Sequence, residues 1–137
     1  MKTFFDSSSF AKRYIEEKGS LLVDDICRDA SELSISVICI PEIISALNRC
    51  VRERSLSQKD YHIIKRALSD DVRDILIINL TEEVISTSTK LLETHNLRAM
   101  DALHIACALE WGSVLFVSSD NKQILAAGHA GLRTKFV

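Results

Sequence analysis

Glycine and proline are scarce in this sequence, with 4 and 1 respectively among 137 residues. That scarcity argues against long loops and against an all-β architecture, which relies on many Gly- and Pro-rich turns. No run approaches the roughly 18 apolar residues of a membrane span. The start, MKTFFDSSSFAKRY, has no apolar stretch long enough for a signal peptide. Cys27, Cys39, Cys50 and Cys107 form no C-x-x-C pair and sit among apolar neighbours, so they read as small core residues of a reduced, cytoplasmic protein. Neither G-x-x-x-x-G-K nor G-x-G-x-x-G occurs, which leaves a nucleotide cofactor without support. There is no excess of positive charge either: the net charge of -2 does not suit a general nucleic-acid binder, and any polyanion site must come from local clustering of Lys and Arg.

What is present is the composition of a folded domain, 47% hydrophobic and 26% charged, at a length suited to one domain with a full core. Short β-type runs alternate with longer helical ones. KTFFD reads as a strand, SSFAKRYIEE as a helix and SLLVDDICRDA as a second helix after Gly19. LSISVICI is β-rich until Pro41, which suits the first turn of the helix PEIISALNRCVRERS. SQKD then supplies an N-cap and an acidic third residue for a helix ending near Asp70. DILIINL, SVLFVSSD and LRTKFV read as further strands, the last at an edge, separated by the helices TEEVISTSTKLLETHN, AMDALHIACALEWG and NKQILAAGHA. Strands joined through helices require right-handed crossovers. The expected fold is therefore a three-layer α/β/α sandwich around a central, mostly parallel sheet of about five strands.

In such sheets ligands bind beyond the carboxyl ends of the strands, so acids just after strands are the candidates for chemistry. Asp6 ends the first strand and Asp120 follows SVLFVSS, while Glu42 and Asp101 lie in the first turns of their helices. Four carboxylates at one sheet edge repel one another, and a hard divalent cation with oxygen ligands, Mg²⁺ or Mn²⁺, is the physical remedy. Bound to a phosphodiester, such an ion polarises the phosphate and activates water. An acidic site without an evident His base thus points to metal-assisted phosphoryl chemistry, a hydrolase before a transferase.

Each acid also has a structural explanation. Asp120 with Gln123 resembles a capping box, Asp6 could cap the helix opening at Ser7, and Glu42 beside Pro41 suits the positive end of any helix. Asp101 is harder to explain this way, because Met100, Ala102, Leu103, Ile105, Ala106 and Leu109 leave its helix little solvated face. Arg98, one turn earlier, is its best structural partner. His104 could touch the site, although a His on so crowded a helix is more often a hydrogen-bonded core residue. Ser7, Ser8 and Ser118 could hold metal-bound waters. Lys12, Arg13 and Arg49 lie on helices that start beside the site and could track a nucleic-acid backbone, though a solvated face explains each of them as well.

The stretches FFDSSSFAKRYIEEKGS, ISVICIPEIISALNR, LRAMDALHIACALEWG and LFVSSDNKQILAAGHAGL together resemble the four acidic motifs of PIN-domain ribonucleases, in particular the VapC-type toxins of type II toxin–antitoxin systems. The resemblance runs from near residue 2 to the last strand and implies one PIN-like domain over residues 1–137. It implies that Asp6, Glu42, Asp101 and Asp120 surround Mg²⁺ or Mn²⁺, with Asp6 and Asp101 the most direct ligands and Ser7 and Ser118 in the shell around them. It further implies endonucleolytic cleavage of RNA, a homodimer, and a small antitoxin protein that blocks the site. The alternative is a catalytically silent PIN-like module that binds RNA or a partner protein, and four intact acids weigh against it. A response-regulator receiver would need an acid pair after the first strand, and a haloacid-type phosphatase would need D-x-D where Ser8 stands.

Overall fold

The computed structural model describes residues 1–137. Five strands, β1 (Lys2–Phe5), β2 (Glu32–Ser36), β3 (Leu76–Ile78), β4 (Leu115–Ser118) and β5 (Arg133–Phe136), form one sheet in the order β3-β2-β1-β4-β5. Every pairing is parallel. The chain moves outward from β1 through β2 to β3, then returns to the other side of β1 with β4. The strand order therefore reverses between β1 and β4, which pair Phe4 with Phe116 and Phe5 with Val117. The crevice beyond their carboxyl ends is where an open α/β sheet accepts a ligand.

Alternation along β1 divides the core in two, because successive side chains of a strand point to opposite faces. Phe4 and Phe116, stacked with ring centroids 5.8 Å apart, bury themselves against α5 (Glu82–Thr94), α6 (Ala99–Trp111) and α7 (Asn121–His129). Phe5, Ile35 and Val117 pack on the other face against α1 (Ser7–Phe10), α2 (Ser20–Asp29), α3 (Cys39–Arg52) and α4 (Gln58–Asp71). The result is the expected α/β/α sandwich. No helix is long and apolar enough to cross a membrane.

Three helix ends are closed by local chemistry, the first by the cap that SQKD predicts. Ser57 Oγ accepts from Asp60 N–H at the start of α4, Thr81 Oγ1 caps α5, and Gly112, at φ 77°, closes α6 in the left-handed conformation.

Several boundaries differ from the sequence reading, and DILIINL contributes only the three residues of β3. SSFAKRYIEE is not one helix: α1 ends at Phe10 and a single 3-10 turn over Ala11–Arg13 follows. Tertiary partners hold this segment, with Phe10 fully buried and Tyr14 Oη donating to Asp71 at 2.6 Å. The strand before Pro41 also stops early, at Ser36, whose Oγ accepts from Ile38 N–H. Helix α3 then begins at Cys39, and Pro41 sits in its first turn, where a missing N–H breaks no helical bond.

Phe116→Ala should destabilise the protein by about 3–5 kcal/mol, the usual cost of emptying a buried aromatic site, as measured by urea unfolding.

Candidate active site

Asp6 leaves β1 at the strand-order reversal, where its main-chain N–H donates to Val117 O at 3.1 Å. Its carboxylate is completely buried, and all of its partners are neutral donors. Oδ1 accepts from Ser9 N–H at 3.0 Å and from Ser9 Oγ at 2.8 Å, so Asp6 does cap α1. Oδ2 accepts from Ser118 Oγ at 2.7 Å and from Gln123 Nε2 at 2.9 Å. Ser8 Oγ donates to the carboxylate within 2.9 Å of either oxygen. These donors come from α1, β4 and α7, so the folded sandwich itself assembles them.

Asp101 stands in the first turn of α6 with its side chain 16% exposed, and Gln123 Nε2 reaches its Oδ1 at 3.2 Å. Arg98 is a weak rival partner: its Nε lies 4.0 Å from Oδ2, and its side chain is 92% exposed. Burial, followed by the negative charge of Asp120, raises the Asp101 carboxyl above its usual range. Asp120 caps α7 through Oδ1, which accepts from Lys122 N–H at 2.8 Å and Gln123 N–H at 3.4 Å. Asp101 and Asp120 line a cavity of about 570 Å³ together with Ser8, Arg98, Asn121 and Lys122.

Glu42 is tied to a different partner. His104, only 2% exposed, places Nε2 2.5 Å from Glu42 Oε1, and Ser7 Oγ donates to the same oxygen at 2.7 Å. Burial pushes the Glu42 carboxyl up, but the His104 and Ser7 hydrogen bonds outweigh it and hold the carboxyl below its ordinary value. The trio is not a nucleophile triad. Ser7 and Glu42 both meet Nε2, whereas a triad sets acid and hydroxyl on opposite ring nitrogens, and here Nδ1 has no partner. His104 is the hydrogen-bonded core residue its crowded helix implied, although its partner is one of the candidate acids.

Asp6 and Asp101 thus share one amide, Asp120 shares a cavity with Asp101, and Glu42 is joined to the neighbourhood through Ser7. No group of three or more His, Cys, Asp or Glu side chains is arranged to hold a metal ion on its own. The donor chemistry nevertheless fits a hard cation. A buried carboxylate with only neutral partners lies beside one whose charge is opposed by Asp120, and the groups that meet between Asp6 and Asp101 are carboxylate oxygens and one amide.

Ser118 joins the two strand-end acids, donating to Asp6 and accepting from Asp120 N–H at 3.0 Å. Ser7 serves Glu42 instead of Asp6. Among the basic candidates, two already have partners within the chain. Lys12 Nζ donates to the main-chain oxygens of Lys18 and Val137, both at 2.8 Å, and so fastens the C-terminal end of the chain. Arg13 sits between Asp24 at 3.7 Å and Asp71 at 3.8 Å, where opposing charges already neutralise it. Lys12 and Arg49 both line a groove with Ser7 and Glu42. The sequence reading missed Gln123 as a site residue, having taken it only as the partner of the Asp120 cap. No local signal marks it, because Gln123 follows polar Asn121 and Lys122 in the first turn of its helix.

The raised Asp101 carboxyl carries a stability consequence. A carboxyl whose folded pKa lies above its unfolded value of 3.8 destabilises the fold when ionised, and the penalty is relieved as pH falls through the folded pKa. Asp101→Asn keeps an acceptor for Gln123 and removes the charge. Its melting temperature at pH 7, without added metal, should equal or exceed that of the wild type, and the difference should shrink as the pH falls toward 4.

A family model described as PIN domain matches residues 3–128. Ribonuclease VapC45 of Mycobacterium tuberculosis is 28% identical over 128 residues, an alignment covering 93% of this chain and 89% of the relative. The crystal structure of M. tuberculosis VapC20, described as a Sarcin-Ricin loop cleaving toxin, superposes with a TM-score of 0.71 at 15% identity, covering 95% of each chain. VapBC2 from Rickettsia felis, bound to a DNA fragment from its promoter, gives a TM-score of 0.71 at 12% identity over 100% of this chain and 99% of the other. At those identities the two structures speak for the fold alone. The match over residues 3–128, on a parallel sheet with acids at its strand-order reversal, places the chain in the PIN domain family.

Proposed function

We propose that the protein is a metal-dependent endoribonuclease that hydrolyses RNA phosphodiester bonds, and that it is the toxin of a toxin–antitoxin pair. The observation that carries this reading is the buried Asp6 carboxylate, which shares a neutral bridge with Asp101 beside Asp120 at the β1/β4 crevice. The family and the ribonuclease relative support it. Mg²⁺ or Mn²⁺ would be held by Asp6 and Asp101, with Asp120 and Glu42 contributing directly or through water. When bound, such an ion polarises the scissile phosphate, lowers the pKa of an attacking water and stabilises the leaving oxygen.

The chain's own groups supply position and charge. Ser8, Ser9 and Ser118 fix the orientation of Asp6 through hydrogen bonds. Glu42, its carboxyl held below the ordinary range by His104 and Ser7, presents a negative oxygen in the groove that Arg49 also lines. Arg98 and Lys122 line the same cavity as Asp101 and Asp120 and suit the phosphates flanking a bound RNA strand. A small antitoxin protein and a second copy of the chain are the proposed partners, an assignment supported by the solved relatives that are toxin–antitoxin complexes. The proposed setting is the cytoplasm, which suits four free thiols.

Asp6→Asn and Asp101→Asn should each lower Mn²⁺-supported RNA cleavage by on the order of 10²–10³-fold or more while the far-ultraviolet circular dichroism spectrum is retained. Full activity in both variants would overturn the assignment. Wild-type protein freed of bound inhibitor that leaves diverse RNAs uncut would favour the catalytically silent module instead.

A further inference from the structure

Gln123 is the third residue of α7, and its side chain is 4% exposed. Its Nε2 donates to Asp6 Oδ2 at 2.9 Å and to Asp101 Oδ1 at 3.2 Å, so one amide nitrogen lies between two carboxylates from different layers of the fold. The other end of the carboxamide is not satisfied: Oε1 is buried without a hydrogen-bond partner. A carboxamide held at one end only is anchored here by the charge of the two acids and by nothing polar behind it.

Asp6 meanwhile has no acceptor capacity to spare. A carboxylate offers about four lone-pair sites. The donors that reach it are Ser8 Oγ, Ser9 N–H, Ser9 Oγ, Ser118 Oγ and Gln123 Nε2. A cation can bind Asp6 only if one of them leaves. Ser9 N–H is fixed as the cap of α1. The Ser8 and Ser118 oxygens accept from Ser119 N–H and Asp120 N–H, each at 3.0 Å, and lie 3.4 Å apart, so one hydroxyl can turn to the other, but neither donates to Asp101. Ser9 Oγ can turn to Val117 O, 2.8 Å away, but that frees Oδ1 and not the oxygen that shares the amide with Asp101. Gln123 is the donor that occupies the space between Asp6 and Asp101 and also has an unsatisfied end.

We propose that the Gln123 carboxamide is a neutral stand-in for the cation: it holds Asp6 and Asp101 together, and it must withdraw before a divalent ion can bridge them. This rests on the metal-site reading above and adds to it a residue that opposes loading. The amide is a positioning residue that sets how much free Mg²⁺ or Mn²⁺ the protein needs before the site fills. Its two effects have opposite signs. It stabilises the protein without metal and weakens the protein's affinity for metal, whereas a bridge that merely preorganised the acids would strengthen both.

The test is calorimetric titration of the full chain with Mn²⁺ alone, comparing wild type with Gln123→Leu and Gln123→Met and using Asp101→Asn as the site control. Both Gln123 variants should bind Mn²⁺ at least roughly tenfold more tightly, in line with removal of a hydrogen bond to a charged group. Their melting temperatures should fall below that of the wild type without metal, and the gap should close at saturating Mn²⁺. Unchanged or weaker binding in both variants, with wild-type binding intact and lost in Asp101→Asn, would overturn this role for Gln123 and leave the metal site standing. Absence of Mn²⁺ binding in the wild type would overturn both.

Discussion

The fully buried carboxylate of Asp6 is the constraint on which the rest of the site depends. An ionised carboxylate removed from water costs several kcal/mol unless its lone pairs are met. Here they are met by groups from three elements: the serines of α1, Ser118 of β4 and Gln123 of α7. Those groups converge because β4 lies against β1 in parallel register and because α7 follows β4 after a single turn. The reversal of strand order is therefore what turns one buried charge into a site that spans the sheet.

Electrostatics then divides the four acids into two kinds. Glu42 has partners within the protein, His104 and Ser7, and its charge is comfortable. Asp101 has the shared Gln123 amide, but burial and Asp120 both oppose its ionisation and Arg98 is too distant and exposed to compensate. A site that stabilises one charge internally and leaves the other in deficit is arranged to receive positive charge at the Asp6–Asp101 end. That is also the end occupied by the Gln123 amide, the sole group in reach that can donate to both acids at once.

Much of this was legible in the sequence. Strand–helix alternation specified the layered fold, and acids just past the apolar runs KTFF and SVLFVSS marked the crevice. SQKD and Gly112 marked helix ends through local chemistry that needs no distant partner. The failures share a cause. Residues 7–17 carry a helical pattern, but the chain bends there because Tyr14 and Lys12 find partners at Asp71 and at the C-terminal Val137. Lys12 and Arg13 meet Val137, Asp24 and Asp71 only once the chain has folded. Gln123 looked like a cap residue because its true partners are 22 and 117 positions away. Pairings that only the folded sheet creates have no local signal.

The central claim is that Asp6 and Asp101 share one divalent cation. Crystals soaked in Mn²⁺ and recorded at a wavelength with strong manganese anomalous scattering test it most directly. The account predicts an anomalous peak between the two carboxylates, with the Gln123 amide displaced from the position it holds here. A peak at other residues alone, or no peak at the β1/β4 crevice at saturating Mn²⁺, would contradict it.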